Sequence, residues 1–220
     1  MKKTVSLLLA LAMVFSLAAC GSSFEDQLTK LVQGNIDELY LGKFDKEYME
    51  MVGADEAECE KDYLDGLAFE AEYFAYYFQI EYLDDELKAE IVDLYKEIYS
   101  HSQYTVGSAS KLDNTTCAVK VQISPINIIE LMLDDYELGT ADFFEKYADV
   151  DIDAMTEEEY QAYDREWAEA ILALAYDNLP DLGYKEEQSI AIQVVQGDDG
   201  IWMIADSDCS AIDQLMIYYP

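Results

Sequence analysis

The side chains able to do chemistry are unevenly distributed along this 220-residue sequence. His101 is its single histidine, so a histidine-dependent nucleophilic triad has one possible base. No G-x-S-x-G, S-x-x-K or H-E-x-x-H run is present. At the end of an expected helix, His101 reads as a cap for the negative helix terminus. Cys59, Cys117 and Cys209 form no C-x-x-C or Cys/His cluster. Cys117 and Cys209 flank two expected strands and are the better pair for a disulfide in an oxidising compartment, and buried apolar thiols are the competing reading. The run Tyr73-Phe74-Ala75-Tyr76-Tyr77-Phe78, with Tyr63, Phe69 and Tyr82 nearby, is too aromatic for one helix to bury on every side. Some rings, Tyr76 and Tyr77 among them, then face a neighbouring element or a ligand, where they can stack on a sugar or a cation.

Carboxylates are the commonest reactive groups, with 47 Asp and Glu against 13 Lys and Arg for a formal net charge of −34. A nucleic-acid partner is argued against, because neutralising phosphates needs a basic face and Arg165 is the only arginine. The same field repels anionic headgroups and wall polymers. Two readings of the acidity stay open, a solvated acidic shell and a patch for cationic ligands, metal ions or a basic partner. Asp149-Val150-Asp151-Ile152-Asp153 superficially resembles an EF-hand loop. It departs where that loop is strict, with Ala154 in place of the turn glycine and Tyr160 in place of the bidentate glutamate. No metal, cofactor or catalytic residue is therefore assigned.

Whatever site exists must be positioned by elements that the hydrophobic pattern reveals. With 51% hydrophobic residues and 3 prolines, the chain is no disordered tail. After Ser22 or Ser23 as cap, Phe24, Leu28, Leu31, Val32, Ile36, Leu39 and Tyr40 recur at helical spacing, and Gly42 ends the run. A second helix is predicted over 54–80 with Leu64, Leu67, Ala71, Phe74 and Phe78 on one stripe, and a third from the Asp84 cap to His101. The period then drops to two. Residues 104–112 and the alternation Cys117, Val119, Val121, Ile123 predict a hairpin turning at Asp113-Asn114. Helix returns over 126–147, broken at Gly139, and over 156–178 behind a Thr156/Glu159 capping box. Ile190, Ile192 and Val194 lead into Gly197-Asp198-Asp199-Gly200 and a second hairpin, followed by a short helix over 210–218.

The first residues carry an address. Lys2 and Lys3, an apolar stretch over 5–17 and Leu17-Ala18-Ala19-Cys20-Gly21 are ordered as an export signal. The apolar stretch is short of the roughly 20 residues a membrane span needs. Leu17-Ala18-Ala19-Cys20 closely resembles the lipobox of bacterial lipoproteins. That resemblance implies a diacylglycerol thioether on Cys20, cleavage before it and N-acylation; each buried methylene contributes ~0.8 kcal/mol to holding the protein on a bilayer. The chain is thereby divided into a signal peptide over 1–19, a lipidated flexible exit over 20–23 and one domain over 24–220. Losing Lys2 and Lys3 takes the charge from −34 to −36.

The order of helices, hairpin, helices and a last hairpin reading Gly-Asp-Asp-Gly before Ile201-Trp202-Met203-Ile204 resembles exported lipoproteins of unknown function with a nuclear-transport-factor-two-like fold. Tyr40-Leu41-Gly42-Lys43-Phe44-Asp45 is similar to the same family. The resemblance implies an α+β fold in which helices pack on a small, curved, mainly antiparallel sheet of two hairpins. The sheet and helices would leave a cone that is a ligand pocket or is simply filled, and residues 126–178 would be an extra helical insert. Trp167 and Trp202 would join Tyr76 and Tyr77 as its ligand-facing rings. The expected function is a lipid-anchored, extracytoplasmic binding or interaction module of the cell envelope, reaching the membrane through Cys20 and an envelope protein or small ligand through its domain. The alternatives are an enzyme with a carboxylate/tyrosine pocket, recognisable by a buried carboxylate of raised pKa, and an accessory subunit whose acidic face docks a basic partner, recognisable by an exposed apolar patch.

Overall fold

A computed structural model describes residues 23–198 and 200–220. The expected leader, Cys20 and the exit at Gly21-Ser22 lie outside the described residues. Helix α1 (Phe24–Leu41) starts at Ser23, whose hydroxyl accepts the Asp26 N–H while the Asp26 carboxylate accepts the Ser23 N–H. It ends at Gly42, which takes φ +58°, a left-handed conformation that costs glycine nothing. Helix α2 (Lys46–Val52) follows on an Asp45 cap. Helix α3 (Glu56–Tyr77) opens on an Asp55/Glu58 capping box and α4 (Asp85–Ser100) on Asp84. His101 caps α4, donating its backbone N–H to Ile98 O at 3.1 Å.

Strands β1 (Gln103–Lys111) and β2 (Thr116–Ser124) form the first hairpin, with a bulge between Val106 and Ala109. Three short helices follow, α5 (Ile128–Asp134), α6 (Tyr136–Gly139) and α7 (Ala141–Tyr147), then a 3-10 turn at Ile152–Ala154 and the long α8 (Glu157–Asn178) with the Thr156/Glu159 box. Strands β3 (Gln188–Gln196) and β4 (Trp202–Ile204) and helix α9 (Asp206–Met216) complete the chain.

The sheet is open and antiparallel in the order β1-β2-β3-β4. The two hairpins are thus joined side by side, β2 pairing with β3 so that Val119 lies opposite Ile192 and Cys117 opposite Val194. One face is dry: Cys117, Val119, Val121, Ile123, Ile192 and Val194 are fully buried, while Lys120, Ser189, Ala191 and Gln193 on the other face are exposed. Helix α1 lies against β1 and β2 and α9 against β2 and β3, while α3 and α4 pack on α1 and on each other, so that Leu28, Leu31 and Ile36 of α1, Leu67, Ala71 and Phe74 of α3 and Leu87, Ile91 and Leu94 of α4 join the same core. Leu64, expected on the buried stripe of α3, is 40% exposed, so that stripe begins at Leu67. Beyond β2, Ile126 bridges to Tyr184 on one side and Ile217 on the other, which pins the C-terminal tail across the exit of the strand.

Candidate functional site

A cleft lies where the helical insert meets the end of α3. There Phe78 N–H returns to Phe74 O, Gln79 turns the chain with φ +59°, and Ile80 N–H closes on Ala75 O at 2.8 Å. Such a left-handed residue without glycine's freedom persists only if its surroundings hold it. Here α8 holds it. The Glu81 and Tyr82 N–H groups both donate to the buried Asp164 carboxylate, at 3.1 Å and 2.8 Å. One turn along the same helix face, Trp167 Nε1 donates to Phe78 O at 2.7 Å. Both ends of the turn are therefore fixed by two side chains of α8.

Between this turn and α7 opens a cleft of about 460 Å³, within the ~300–1,000 Å³ range of small-molecule sites. Phe143 stands at the centre of its aromatic wall, 5.1 Å from Tyr163 and 5.1 Å from Trp167 by ring centroids. Tyr136 meets Trp167 edge-on at 6.0 Å and Tyr160 stacks on Tyr163 at 5.8 Å. Phe144, Leu133 and Tyr77 complete the apolar lining. The polar groups are Gln79, Glu81 and Asp164, and among the described residues no lysine, arginine or histidine lines the cleft. Burial, then the charge and hydrogen bond of Glu81, push the Tyr160 hydroxyl above its ordinary value; burial and Asp164 do the same for Tyr163. These phenols thus stay neutral, and the only formal charges at the cleft are the two carboxylates.

The four rings expected to line one cone do not come together. Tyr77 and Trp167 share this cleft, but Tyr76 is 60% exposed beside Tyr73, and Trp202 is buried on β4, edge-on to Phe24 at 5.1 Å. Alternation along β4 sends Trp202 to the same face as buried Ile204, which makes it a core residue. The cleft is lined by the insert and the end of α3, and no strand residue contributes to its described lining. Its wall could have been suspected from Tyr160, Tyr163 and Trp167 at helical spacing and from Phe143-Phe144, which the sequence pattern alone does not separate from ordinary core.

The other chemistry-bearing groups lie elsewhere. Cys59, Cys117 and Cys209 are free thiols. Cys117 is sealed in the sheet face opposite Val194, and Cys209 sits half-buried on α9, where burial and Asp206 push its thiol up to about 11. Asp149, Asp151 and Asp153 are exposed, and among the described residues no three His, Cys, Asp or Glu gather to hold a metal. A tyrosine–carboxylate cluster lies under α9, where Tyr40 donates to Asp213 at 3.5 Å and the Tyr95 and Tyr219 hydroxyls share a hydrogen bond close to buried Glu70. Burial first, then these carboxylates, raise Tyr40, Tyr95 and Tyr99 well above the ordinary phenol range. Glu38 is a third buried carboxylate, after Asp164 and Glu70. Its Oε2 accepts the Tyr48 hydroxyl at 2.5 Å, and its Oε1 has no hydrogen-bond partner among the described residues. Burial pushes this carboxyl above its ordinary range against the pull of Tyr48, and the Cys59 thiol facing it is pushed up to about 12.

No family model matches the chain, and no curated protein matches it either. Among solved structures it is similar to the crystal structure of a candidate lipoprotein (ycdA) from Bacillus subtilis, with a TM-score of 0.61 and 16% identity. The two share a fold. The match covers 87% of this chain and 56% of the other, so this chain spans little more than half of that structure's length. At that identity the likeness concerns architecture alone. Among the described residues no helix is long and apolar enough to cross a membrane.

Proposed function

We propose that this protein is a membrane-tethered binding module of the cell envelope that takes a small ligand in the cleft between the 78–82 turn, α7 and α8. The cleft carries the reading: it combines an aromatic wall with a few fixed polar groups on a rigid scaffold, as ligand sites do. The tether is read from the lipobox-like Leu17-Ala18-Ala19-Cys20, and the fold shared with a candidate lipoprotein supports it. We read the sheet and its helices as a nuclear-transport-factor-two-like variant in which the insert supplies the pocket. A binder fits better than a catalyst. Glu38 and Asp62, carboxylates that burial raises, lie near Cys59, and 18 residues of α3 at ~1.5 Å per residue put Cys59 roughly 27 Å from the Tyr77 end.

One observation favours the docking alternative as a second reading. The insert exposes Leu138 (82%), Phe144 (50%), Val150 and Ile152 to solvent, and apolar patches on acidic proteins serve as partner contacts. The two readings separate in one experiment. The full chain carrying Cys20→Ser is screened with small sugars, ammonium compounds and organic acids by tryptophan emission, with Phe143→Ala as the control. Saturable binding lost in Phe143→Ala supports the cleft; no response to any class sinks it. The same Cys20→Ser chain should move from membrane to soluble fractions, and persistence at the membrane overturns the tether.

A further inference from the structure

We infer that the cleft selects a compact organic cation, a substituted ammonium, over neutral and anionic molecules of the same shape. This rests on the binding reading above and adds the ligand's chemistry. Ring faces attract cations through the negative electrostatic potential above them, most strongly for tryptophan. Phe143, Tyr163, Trp167 and Tyr136 supply four rings from three helices, with neighbouring centroids 5.1–6.0 Å apart. The charges agree. Asp164 stays at the base of the cleft because the Glu81 and Tyr82 N–H groups hold both its oxygens, so its negative charge is fixed in place. Glu81 stands at the exposed mouth, where its carboxylate lies close enough to the Tyr160 hydroxyl to raise it.

Nothing there favours an anion. Lys146 is paired with Glu166 and lies over Tyr147 at 5.1 Å, outside the lining, and Arg165, next to Asp164 on α8 and also outside the lining, is held by Glu90 at 2.8 Å, Glu169 at 3.1 Å and Asp84 at 3.5 Å. An inorganic cation would need several oxygen ligands in one shell, whereas the walls here are rings and Asp164 already accepts two backbone donors. A sugar would need a donor or acceptor for each hydroxyl, and Gln79 is the one side-chain amide of the lining. A formal charge of −34 across the chain raises the local concentration of cations further.

Trp167 makes the test direct, because Trp202 is the only other tryptophan and is buried against Phe24, outside the cleft lining. In the full chain carrying Cys20→Ser and Trp202→Phe, choline and tetramethylammonium should change Trp167 emission saturably. The neutral choline isostere 3,3-dimethylbutan-1-ol should bind about tenfold more weakly. Glu81→Gln should weaken choline several-fold and leave the isostere unchanged. Calorimetry on the chain with both tryptophans in place repeats the comparison should Trp202→Phe fail to fold. Equal affinity for choline and isostere overturns the cation preference while the cleft remains a binding site. A sugar or acid bound in the cleft with choline ignored does the same. If no probe of any class binds, both this inference and the binding reading fail.

Discussion

Replacing Gly34 by alanine should destabilise this protein, although alanine is the better helix former by ~1 kcal/mol. Gly34 is buried in α1, where α2 crosses it, and a Cβ there would overlap ring atoms of Tyr48 and come within 2.7 Å of Tyr48 Cβ. Tyr48 has nowhere to go. It is 1% exposed, its hydroxyl is held by Glu38 one turn along α1, and its backbone N–H is fixed by the Asp45 cap at 3.1 Å. Overpacking of this kind costs ~1–3 kcal/mol; with the obstructing atoms beside the backbone, the upper part of that range applies. Subtracting the helix gain leaves a net loss of ~1–2 kcal/mol, or a fall in Tm of about 5 °C for a domain of this size. Gly66 provides the internal control, since it lies inside α3 and a Cβ there meets nothing within 4 Å. Gly66→Ala should therefore gain ~0.5–1 kcal/mol and raise Tm by about 2 °C. Thermal and urea unfolding followed at 222 nm compare the two variants with the parent. Equal stabilisation of both would refute the reasoning, because it would mean that α2 slides off α1 without loss.

Glu38→Gln should be more stable than the parent at about pH 8, with the gap closing towards about pH 4. The sign follows from the raised carboxyl: its stabilising contribution is complete below the pKa of the unfolded chain and is lost as pH rises through the folded value, whereas glutamine keeps the Tyr48 acceptor without the charge. Urea midpoints across that range check it, and a gap that widens on acidification contradicts it. Asp164→Ala should cost ~2–4 kcal/mol by leaving the Glu81 and Tyr82 N–H groups without their acceptor, and Asp164→Asn should recover part of the loss; amide exchange at Tyr82 as slow in Asp164→Ala as in the parent would argue against this. Alkylation of the unfolded, unreduced Cys20→Ser chain should modify the 3 thiols Cys59, Cys117 and Cys209, and an intact mass showing one modified thiol would establish a disulfide.

The parts of the fold legible in the sequence are those decided within a few residues. Ser23, Asp84 and Thr156 announce helix starts because a cap needs only its own turn, and alternation over Cys117, Val119, Val121 and Ile123 fixes both a strand and its dry face. Helix α2 was unannounced since one buried ring, Tyr48, sets no period. The insert breaks after Gly139, as expected, and also at Asp135: α6 ends at Gly139, which packs against Leu174, and the Thr140 hydroxyl that follows donates to Tyr136 O at 2.6 Å. The cleft was hidden for a different reason. It depends on a turn at Gln79 that no glycine advertises and on Asp164 reaching Glu81 across 83 residues of sequence, a meeting that no local pattern encodes.

The adjacency of β2 and β3 has a mechanical outcome. Ile123 and Gln188 are partners across the ladder, so the chain leaves the sheet for its long helical excursion and comes back at a doorway only ~5 Å wide. Whatever loads the far end of that excursion, a bound guest or a docked neighbour, is borne through two strands already laced together. Selectivity can thus be rebuilt in the excursion while the scaffold beneath keeps its lacing.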